Sequence, residues 1–577
     1  MGLSRASGRL AAGAALAAAC LGALALPAAG ARDDLVLVSQ STGGAAADDA
    51  SSTPSMSPDG RFVAFASDAD DLGGPQLTGT SDIFLRDVDA GTTTLVSRGS
   101  TPADALSYEP SVSADGSRVA FTSEAGNLSD ADGDLADVFV RDLRTNTALL
   151  VSRPDGANSR GLDGISNHPA ISADGRSVAF VSDASGLAPG AASGVTNVFV
   201  RDLARGTTTL VSRAPDGSGG DGSSSGPSIS ADGRFVAFLS DAPNMSAEDR
   251  NGLRNVFVRD TVAGTTTLVS RAPGLSGAAA LGLSLSASIS ADGNRVAFAT
   301  GSPNLSDDDA DATTDVFVRD VAFGSTTLAS RATGAAGAAA DLGSFEPVIS
   351  GDGMSVAFSS AAANMSAGDV DPVADVFVRD LRSNTTALVS RAAGAAGAPG
   401  TSASGAPSIS STGRYVAFSS AADELSAADG DGWTNVFRRD VLGIGDAPAP
   451  PPPARLTPGI AAAAPTATRA RCAGRPATIV GTSRDDIVRG SRRADVIASL
   501  GGDDVVLGAG GNDIICLGTG NDRAHGGAGA DLIRGGPGRD LILGGPGPDL
   551  LIGNRALDLA RGGPGQDICS TEGRRSC

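Results

Sequence analysis

Aspartate recurs at every ninth residue near the C-terminus, at Asp486, Asp495, Asp504, Asp513, Asp522, Asp531, Asp540, Asp549, Asp558 and Asp567. In the best copies glycines stand five, four and two residues before the aspartate, at Gly526, Gly527, Gly529, Gly535, Gly536, Gly538, Gly544, Gly545 and Gly547. Glycine permits left-handed turns that aim backbone carbonyls inward. Carbonyl and carboxylate oxygens are the ligands that a hard cation such as Ca²⁺ selects. The spacing therefore predicts a row of calcium-binding turns.

An apolar series lies two residues after the aspartates, at Val488, Ile497, Val506, Ile515, Ala524, Ile533, Ile542, Leu551, Ala560 and Cys569. Each repeat is therefore predicted to be a turn plus a very short strand with one inward side chain. Burying one Val or Ile yields about 1.5–3 kcal/mol, whereas ordering the backbone costs about 1–2 kcal/mol per residue. These side chains alone do not stabilise a repeat. The alternatives, a glycine-rich repeat that folds without metal or a disordered tail, do not explain aspartates in register.

The best copies read GGAGADLIR (526–534), GGPGRDLIL (535–543) and GGPGPDLLI (544–552). They resemble the RTX calcium-binding nonapeptide repeat. The resemblance implies a parallel β-roll in which one coil is two repeats, so that an ion lies between turns eighteen residues apart, such as those of Asp531 and Asp549. The repeats of Asp531, Asp540 and Asp549 are predicted to be the strongest sites. Weaker sites are predicted where the glycine set is incomplete, at Asp486, Asp495, Asp504 and Asp558.

Residues 1–31 have the features of a secretory signal peptide that is cleaved near Ala31. Arginines precede an apolar run over residues 10–26, and Ala29-Gly30-Ala31 supplies the small residues of a cleavage site. No other apolar run is long enough to span a membrane. The chain is therefore predicted to be secreted, to act outside the cell and to lack a membrane span.

The cysteines after the signal peptide all lie in the C-terminal region, at Cys472, Cys516, Cys569 and Cys577. Their even number in an oxidising compartment predicts two disulfides, and the sequence leaves the pairing open. The chain has a net charge of −21 and a pI near 4.5. This acidity excludes nucleic acid as an expected partner.

A longer repeat occupies residues 32–446. Its landmark is an Asp-Gly pair, or Thr-Gly in the seventh copy, that recurs at steps of 56–60 residues, at Asp59, Asp115, Asp174, Asp232, Asp292, Asp352 and Thr412. Each copy reads as four short β-strands with a tight turn at the Asp-Gly pair. Four strands per repeat are typical of a propeller blade. The fold class is therefore all-β, with a seven-bladed β-propeller, a Pro/Ala-rich linker over 447–471 and the C-terminal parallel β-roll over 472–577.

The blade motif S-x-S-x-D-G-R-x-V-A-F, followed by V-F-V-R-D, resembles the TolB-like, PD40-type propeller family in all seven copies. The seventh copy lacks the last strand, whereas residues 35–39 resemble that strand without a blade. We therefore expect the N-terminal strand to complete blade 7. The paired Arg-Asp and Ser-Arg motifs are predicted to connect neighbouring blades, because they recur in every copy.

Acidic loops precede the V-F-V-R-D strand in several blades. Their aspartates have a spacing like that of calcium loops, and a solvated acidic loop is an equally good interpretation. The candidate ligands are Asp132, Asp134, Asp309, Asp311, Asp369, Asp371, Asp429 and Asp431.

The sequence favours a secreted calcium-binding protein whose propeller is an interaction or structural scaffold. One alternative is a secreted hydrolase or lyase with its active site in the propeller channel, and another is a TolB-like module that binds envelope proteins. We predict no catalytic residue, because His168 is interpreted as a loop histidine. The expected state is a monomer that binds calcium ions and an unidentified protein or polysaccharide partner.

Overall fold

The structure is a computed structural model that describes two parts of the chain, residues 35–441 and 470–576. Within them it leaves out 74–79, 130–134, 157–163, 250–251, 310, 367, 370, 394–396, 431, 485, 492, 528, 546, 556–557, 563–565 and 571–574. The predicted signal peptide, linker residues 447–469 and the candidate ligands Asp132, Asp134 and Asp431 lie outside the described residues. The chain divides into two units, Met1–Pro450 and Pro451–Cys577. No helix among the described residues is long and apolar enough to cross a membrane.

In its described residues the first unit forms seven four-stranded antiparallel sheets, which confirms the predicted seven-bladed propeller. The strands of blades 1 to 3 are β2 (Ser51–Met56), β3 (Phe62–Ser67), β4 (Asp82–Asp87) and β5 (Thr92–Leu95); β6 (Ser107–Val112), β7 (Arg118–Ser123), β8 (Asp137–Asp142) and β9 (Thr147–Leu150); β10 (Ser166–Ile171), β11 (Ser177–Ser182), β12 (Asn197–Asp202) and β13 (Thr207–Leu210).

Blades 4 to 7 have the same order. Their strands are β14 (Ser224–Ile229), β15 (Phe235–Ser240), β16 (Asn255–Asp260) and β17 (Thr265–Leu268); β18 (Ser284–Ile289), β19 (Arg295–Thr300), β20 (Asp315–Asp320) and β21 (Ser325–Leu328); β22 (Ser344–Ile349), β23 (Ser355–Ser360), β24 (Asp375–Asp380) and β25 (Thr385–Leu388); β26 (Ser404–Ile409), β27 (Tyr415–Ser420), β28 (Asn435–Asp440) and β1 (Leu35–Leu37). Short 3-10 turns lie at Pro243–Met245 and Asp423–Leu425.

The N-terminal strand closes the ring, as expected. Strand β1 pairs antiparallel with β28, with Val36 opposite Arg438. Beyond β1, the Val38 N–H donates to the Val436 carbonyl at 2.7 Å, and the Ser39 hydroxyl donates to Asn435 Oδ1 at 2.6 Å. Val38 is fully buried. The first and last parts of the propeller are therefore joined by backbone pairing and by a shared core.

Each blade is held by its own aromatic pair, and in blades 2, 3, 5, 6 and 7 a buried arginine of the third strand connects the blade to the preceding one. In blade 5 the rings of Phe298 and Phe317 stack with centroids 5.9 Å apart. The arginine of the third strand reaches back to the preceding blade, where Arg379 Nη1 donates to the Ala332 carbonyl at 3.0 Å. Arg379 is 1% exposed. The predicted role of the Arg-Asp motif in joining blades is confirmed.

The second unit is a parallel β-solenoid preceded by a hairpin of β29 (Arg471–Cys472) and β30 (Arg475–Pro476). Arg471, predicted to end the linker, already pairs in this hairpin. One parallel sheet contains β31 (Ile479–Val480), β33 (Val496–Ala498), β35 (Ile514–Cys516), β37 (Leu532–Pro537), β39 (Leu550–Arg555) and β41 (Ile568–Ser570). The other contains β32 (Ile487–Arg489), β34 (Val505–Leu507), β36 (Arg523–His525), β38 (Leu541–Leu543), β40 (Leu559–Arg561) and β42 (Arg575–Ser576).

The register of the solenoid confirms that one coil is two repeats. Ile497 pairs with Ile515, and Ile515 pairs with Ile533, at steps of eighteen residues. All three are fully buried, as the apolar series predicted. A disulfide joins Cys472 to Cys516, with their Cα atoms 5.5 Å apart, and Cys569 is also disulfide-bonded. The Cys472–Cys516 disulfide thus links the hairpin that precedes the solenoid to the third coil.

Deleting residues 34–40 should open the ring, because blade 7 loses its fourth strand and exposes an unpaired edge. Losing the buried Leu37 and Val38 side chains removes at least about 3 kcal/mol from the free energy of unfolding. The milder variant Ser39→Ala should cost about 2 kcal/mol, since it removes two buried hydrogen bonds, one donated to Asn435 Oδ1 and one accepted from the Val436 N–H. Thermal unfolding of the full chain measures both. A melting temperature unchanged by the deletion contradicts the closure.

Candidate functional site

The aspartates of the solenoid form ladders in which one carboxylate oxygen is fixed by the backbone. The Asp531 N–H donates to Asp549 Oδ1 at 2.9 Å, and the Asp522 N–H donates to Asp540 Oδ1 at 3.0 Å. The same bond, at the same eighteen-residue step, recurs from the pair Asp486 and Asp504 to the pair Asp549 and Asp567. Each donor sits in the coil before its acceptor. The ladder therefore fixes the direction in which the second oxygen of each carboxylate points.

The second oxygen, Oδ2, has no hydrogen-bond partner in five central repeats as far as the described residues show. The five are Asp513, Asp522, Asp531, Asp540 and Asp549, each at most 3% exposed. A buried carboxylate oxygen without a donor costs several kcal/mol unless a proton or a cation compensates it, by an order-of-magnitude estimate. These atoms are the strongest structural sign of a metal site in the chain.

In the repeats of Asp531 and Asp540 the first glycine keeps open a space where oxygens from two coils converge. A Cβ atom on Gly526 would collide with Asp531 Oδ2 and would lie 2.7 Å from the Gly544 carbonyl oxygen. A Cβ atom on Gly535 would collide with Asp540 Oδ2 and approach the Gly553 carbonyl oxygen to 2.9 Å. One small volume therefore borders both a carboxylate and a carbonyl of the next coil. These are the oxygen types that calcium requires.

The second and third predicted glycines meet the coil before them. Gly536 has a φ of +116° and Gly538 a φ of +140°, and Cβ atoms there would collide with the carbonyls of Gly518 and Gly520. The same holds for the other predicted glycines of these two positions, Gly527, Gly529, Gly545 and Gly547. The glycines therefore allow the coils to stack closely.

Burial raises the pKa of the central aspartates. The pKa rises to about 6 for Asp513, Asp540 and Asp549 and to about 7 for Asp522. Removal from water is the main cause in each case, and for Asp522 the carboxylates of Asp540 and Asp504 raise the pKa further. Near neutral pH these groups therefore lie close to the point at which a proton is taken up unless a cation stabilises the ionised form.

The first two repeats differ, and their side chains explain why. Asp486 Oδ2 accepts hydrogen bonds from the Thr482 N–H and hydroxyl, the latter at 2.9 Å. Asp495 Oδ2 accepts them from the Ser491 N–H and hydroxyl at 2.7 and 2.8 Å. Thr482 and Ser491 stand where better copies have the second glycine. Their donors already satisfy the oxygen that a metal would need. At the other end of the series, Asp504 and Asp558 are buried and Asp567 is half-buried.

The acidic loops of the propeller show one cluster that the sequence only partly identified. In blade 5, ligand atoms of Asp309, Asp311 and Asp315 all lie within 4.8 Å of one another. Asp315 was missed because it begins strand β20. In blade 6, Asp369 is buried, and in blade 7 Asp429 accepts a hydrogen bond from Asn435 Nδ2 at 2.9 Å. Asp371 caps its own loop by accepting the Val373 N–H.

The propeller channel contains an acid and a histidine. His168 lies in strand β10, not in a loop as predicted, and its Nε2 is 3.3 Å from Glu109 Oε1. Both residues have a positive φ, +52° and +55°, at a bulge of the innermost strand. They line a cavity of about 280 Å³ that is bordered by the innermost strands of five blades. Nothing in the sequence indicated that His168 lines the channel, because the apolar pattern of the strand does not reveal the bulge.

Comparison with known proteins gives results for both units. The family model "RTX calcium-binding nonapeptide repeat (4 copies)" matches residues 480–515, 518–551 and 543–573. The C-terminal region therefore carries RTX calcium-binding repeats. No curated protein matches the chain.

Solved structures resemble the chain at low sequence identity. TolB from Acinetobacter baumannii has 16% identity and a TM-score of 0.32, with 59% of this chain and 64% of that chain covered. An oligogalacturonate lyase in complex with manganese has 12% identity and a TM-score of 0.41, with 71% and 97% covered. The propeller domain of the Trilobed protease from Pyrococcus furiosus has 12% identity and a TM-score of 0.40, with 68% and 96% covered. TolB-like propellers are thus among the structural neighbours.

The stability of the calcium-free solenoid should depend on pH with a defined sign. The raised pKa values of about 6 and 7 at Asp540 and Asp522 lie above the ordinary value of 3.8. A carboxyl group whose pKa is raised in the folded state contributes its full stabilisation below about pH 4. This contribution is lost as the pH rises through about 6–7. We expect the melting temperature of the solenoid in calcium-free protein to fall over that range. Saturating calcium should reverse the slope, because the metal requires ionised carboxylates.

Calorimetry of the full chain at several pH values measures this slope. Asp522→Asn should reduce it, whereas Asp486→Asn should leave it unchanged, since Thr482 already satisfies the Asp486 oxygen. A calcium-free melting temperature that rises with pH would contradict the assignment.

Proposed function

We propose that the chain is an exported calcium-binding protein whose propeller serves as an interaction scaffold at the cell surface or outside the cell. The observation that carries the calcium part is the row of buried, unpartnered Oδ2 atoms at Asp513, Asp522, Asp531, Asp540 and Asp549. The Asp531 and Asp549 carboxylates, with glycine carbonyls of adjacent coils such as that of Gly544, would hold the ions. Calcium supplies the positive charge that these stacked carboxylates lack.

Export is supported by the sequence of residues 1–31 and by the disulfides. A bond such as Cys472–Cys516 persists in an oxidising compartment, where calcium is also plentiful. A fold that depends on calcium would then be completed outside the cytoplasm. The export signal would lie at the N-terminus.

The interaction role is supported by exposed apolar side chains concentrated in two neighbouring blades. Leu281, Leu283, Leu285, Leu342 and Phe345 are between 42% and 63% exposed, and we call them the apolar patch. They lie before or within the innermost strands of blades 5 and 6. Adjacent exposed apolar groups mark surfaces that bind proteins. Since the chain has a single tryptophan and few aromatic residues, a protein partner suits this surface better than a polysaccharide.

The calcium part is tested with two matched pairs of substitutions in the full chain. Asp540→Asn with Asp549→Asn removes two unpartnered carboxylates, so most of the calcium-induced rise in the melting temperature of the solenoid should disappear. A site held at about a hundred times its dissociation constant contributes about 2.7 kcal/mol. Asp486→Asn with Asp495→Asn changes the same charge at hydrogen-bonded carboxylates and should have little effect. Magnesium should substitute poorly, because it demands a tighter octahedral shell.

Equal loss from both pairs, or a solenoid that is equally stable in chelator, would contradict calcium binding at the central repeats. The scaffold role is tested separately, by capture of proteins from the envelope fraction of the producing organism. Leu281→Ser with Leu283→Ser should abolish capture of the partner, whereas Val262→Ser, at an exposed apolar side chain of blade 4, should not.

A second candidate function, an enzyme with its site in the channel, is favoured by one observation. Glu109 and His168 form an acid–histidine pair in a cavity, and the Glu109 carboxylate also accepts the His168 N–H at 2.8 Å. Such a pair is a suitable general acid or base. The histidine occurs at this position in blade 3 alone, whereas a glutamate equivalent to Glu109 recurs at Glu346 of blade 6.

We expect no turnover of peptide, ester, phosphate or glycoside substrates by the purified chain, because the residues that line the cavity beside Glu109 and His168 are mainly proline, glycine and alanine. The screen compares wild-type protein with His168→Ala and with the control Asn167→Ala, which alters the adjacent residue. Turnover that His168→Ala abolishes and Asn167→Ala preserves would establish the enzyme instead.

A further inference from the structure

The acidic loops of four blades share one spacing, and the last residue of that spacing divides them into two kinds. An aspartate in the loop stands six residues before the first residue of the third strand in blades 4, 5, 6 and 7. That first residue is Asn255 or Asn435 in blades 4 and 7, and Asp315 or Asp375 in blades 5 and 6. The start of the third strand therefore holds an amide in two of these blades and a carboxylate in the other two.

In blades 4 and 7 the asparagine side chain donates a hydrogen bond to the loop aspartate. Asn255 Nδ2 donates to Asp249 Oδ1 at 3.1 Å, and Asn435 Nδ2 donates to Asp429 Oδ1 at 2.9 Å. The amide oxygen of Asn255 accepts the Ser270 hydroxyl at 2.7 Å. Both ends of the asparagine are thus hydrogen-bonded. The loop aspartate receives a donor from the strand beneath it.

In blade 5 the same position holds a carboxylate, which has no donor to offer. Asp315 Oδ1 accepts the Ser330 hydroxyl at 2.6 Å, in the manner of the asparagine. Its other oxygen replaces the Nδ2 group. Asp309, the loop aspartate, is 3% exposed, and neither of its carboxylate oxygens has a hydrogen-bond partner among the described residues. Two buried carboxylates therefore meet where blades 4 and 7 have a hydrogen bond.

Among the described residues, no ion pair neutralises the carboxylates of this cluster. The Asp311 carboxylate adds a third negative group within 4.8 Å. The Thr313 hydroxyl donates to Asp311 Oδ1 at 2.5 Å, and its contact with Asp315 Oδ2, at 3.3 Å, is weak. The nearby Arg331 forms its ion pair with Asp308 instead, at 2.9 Å. Asp309 and Asp315 are buried, whereas Asp311 is exposed. Two buried carboxylates at this distance require a cation or a proton.

We propose that the acidic loop of blade 5 binds a divalent cation of the calcium class through Asp309, Asp311 and Asp315. The site belongs to the propeller and is independent of the repeats in the solenoid. Several hard oxygen ligands without a strict octahedral arrangement suit calcium better than magnesium, which demands that geometry. The ion would fasten the loop to strand β20, as the asparagine amide fastens the corresponding loops of blades 4 and 7.

Hydrogen exchange of the full chain, followed by mass spectrometry, tests this site locally and so separates it from the solenoid. At a calcium concentration about ten times the dissociation constant, amides of residues 304–315 should exchange about tenfold more slowly than in chelator. The corresponding loops of blades 4 and 7, residues 244–255 and 424–435, should show no such change. Magnesium at the same concentration should have a much smaller effect on residues 304–315.

Two single substitutions sharpen the result. Asp315→Asn recreates the arrangement of blades 4 and 7, so the fold should be kept and the loop should be protected with or without calcium. Asp307→Asn removes the same charge from an exposed residue of the same loop and should preserve the calcium response. A calcium response that survives Asp315→Asn, or none in the wild type, would overturn the proposal. Protection gained in calcium-free protein by acidification alone, after correction for intrinsic exchange rates, would show a shared proton instead of a cation.

Discussion

A carboxylate that is removed from water needs a hydrogen-bond donor, a proton or a cation, and both units of this chain are arranged around that need. In the solenoid the backbone N–H of the preceding coil satisfies one oxygen of each aspartate from Asp504 to Asp567, as Asp531 does for Asp549. The other oxygen is left to side chains or to metal. In the propeller a serine hydroxyl satisfies the first oxygen of Asp315, and the neighbouring residues determine how the second is met.

The way in which the second carboxylate oxygen is satisfied changes along the solenoid, so that its first coils differ from its later coils. At its start, Thr482 and Ser491 donate to Asp486 and Asp495, and the Cys472–Cys516 disulfide ties the hairpin to the third coil. From Asp513 to Asp549 the second glycine position of the motif offers no side-chain donor, and Oδ2 of Asp513 is unpartnered among the described residues. The early coils are therefore stabilised by their own side chains, whereas the later coils would depend on calcium under the proposed function. Folding that begins at the disulfide-bonded end would give the ions a preformed coil on which to assemble the next.

Periodicity in the sequence predicted the regular features of both units, whereas contacts between positions far apart in the chain were missed. The resemblance of the nine-residue repeats to the RTX repeat implied the eighteen-residue register of Ile497 and Ile515, and the blade repeat predicted the closure by strand β1. The Glu109 and His168 pair was missed because the two residues are 59 positions apart and meet only when neighbouring blades pack. Asp315 was hidden for a different reason. It begins a strand of the fold, and its role depends on a six-residue step back to Asp309.

The apolar patch and the acidic loop of blade 5 are connected by a hydrogen bond. The Leu281 N–H, within the apolar patch, donates to Asn304 Oδ1 at 3.1 Å, and Asn304 begins the acidic loop that ends at Asp315. Both segments lie on one face of the ring, since the loop before the first strand and the loop before the third strand emerge on the same side of an antiparallel blade. An ion that orders the acidic loop therefore also fixes the backbone that presents Leu281. Calcium would then act at two separate places. It would stabilise the coils of the solenoid, and it would order the surface of blade 5 in the propeller.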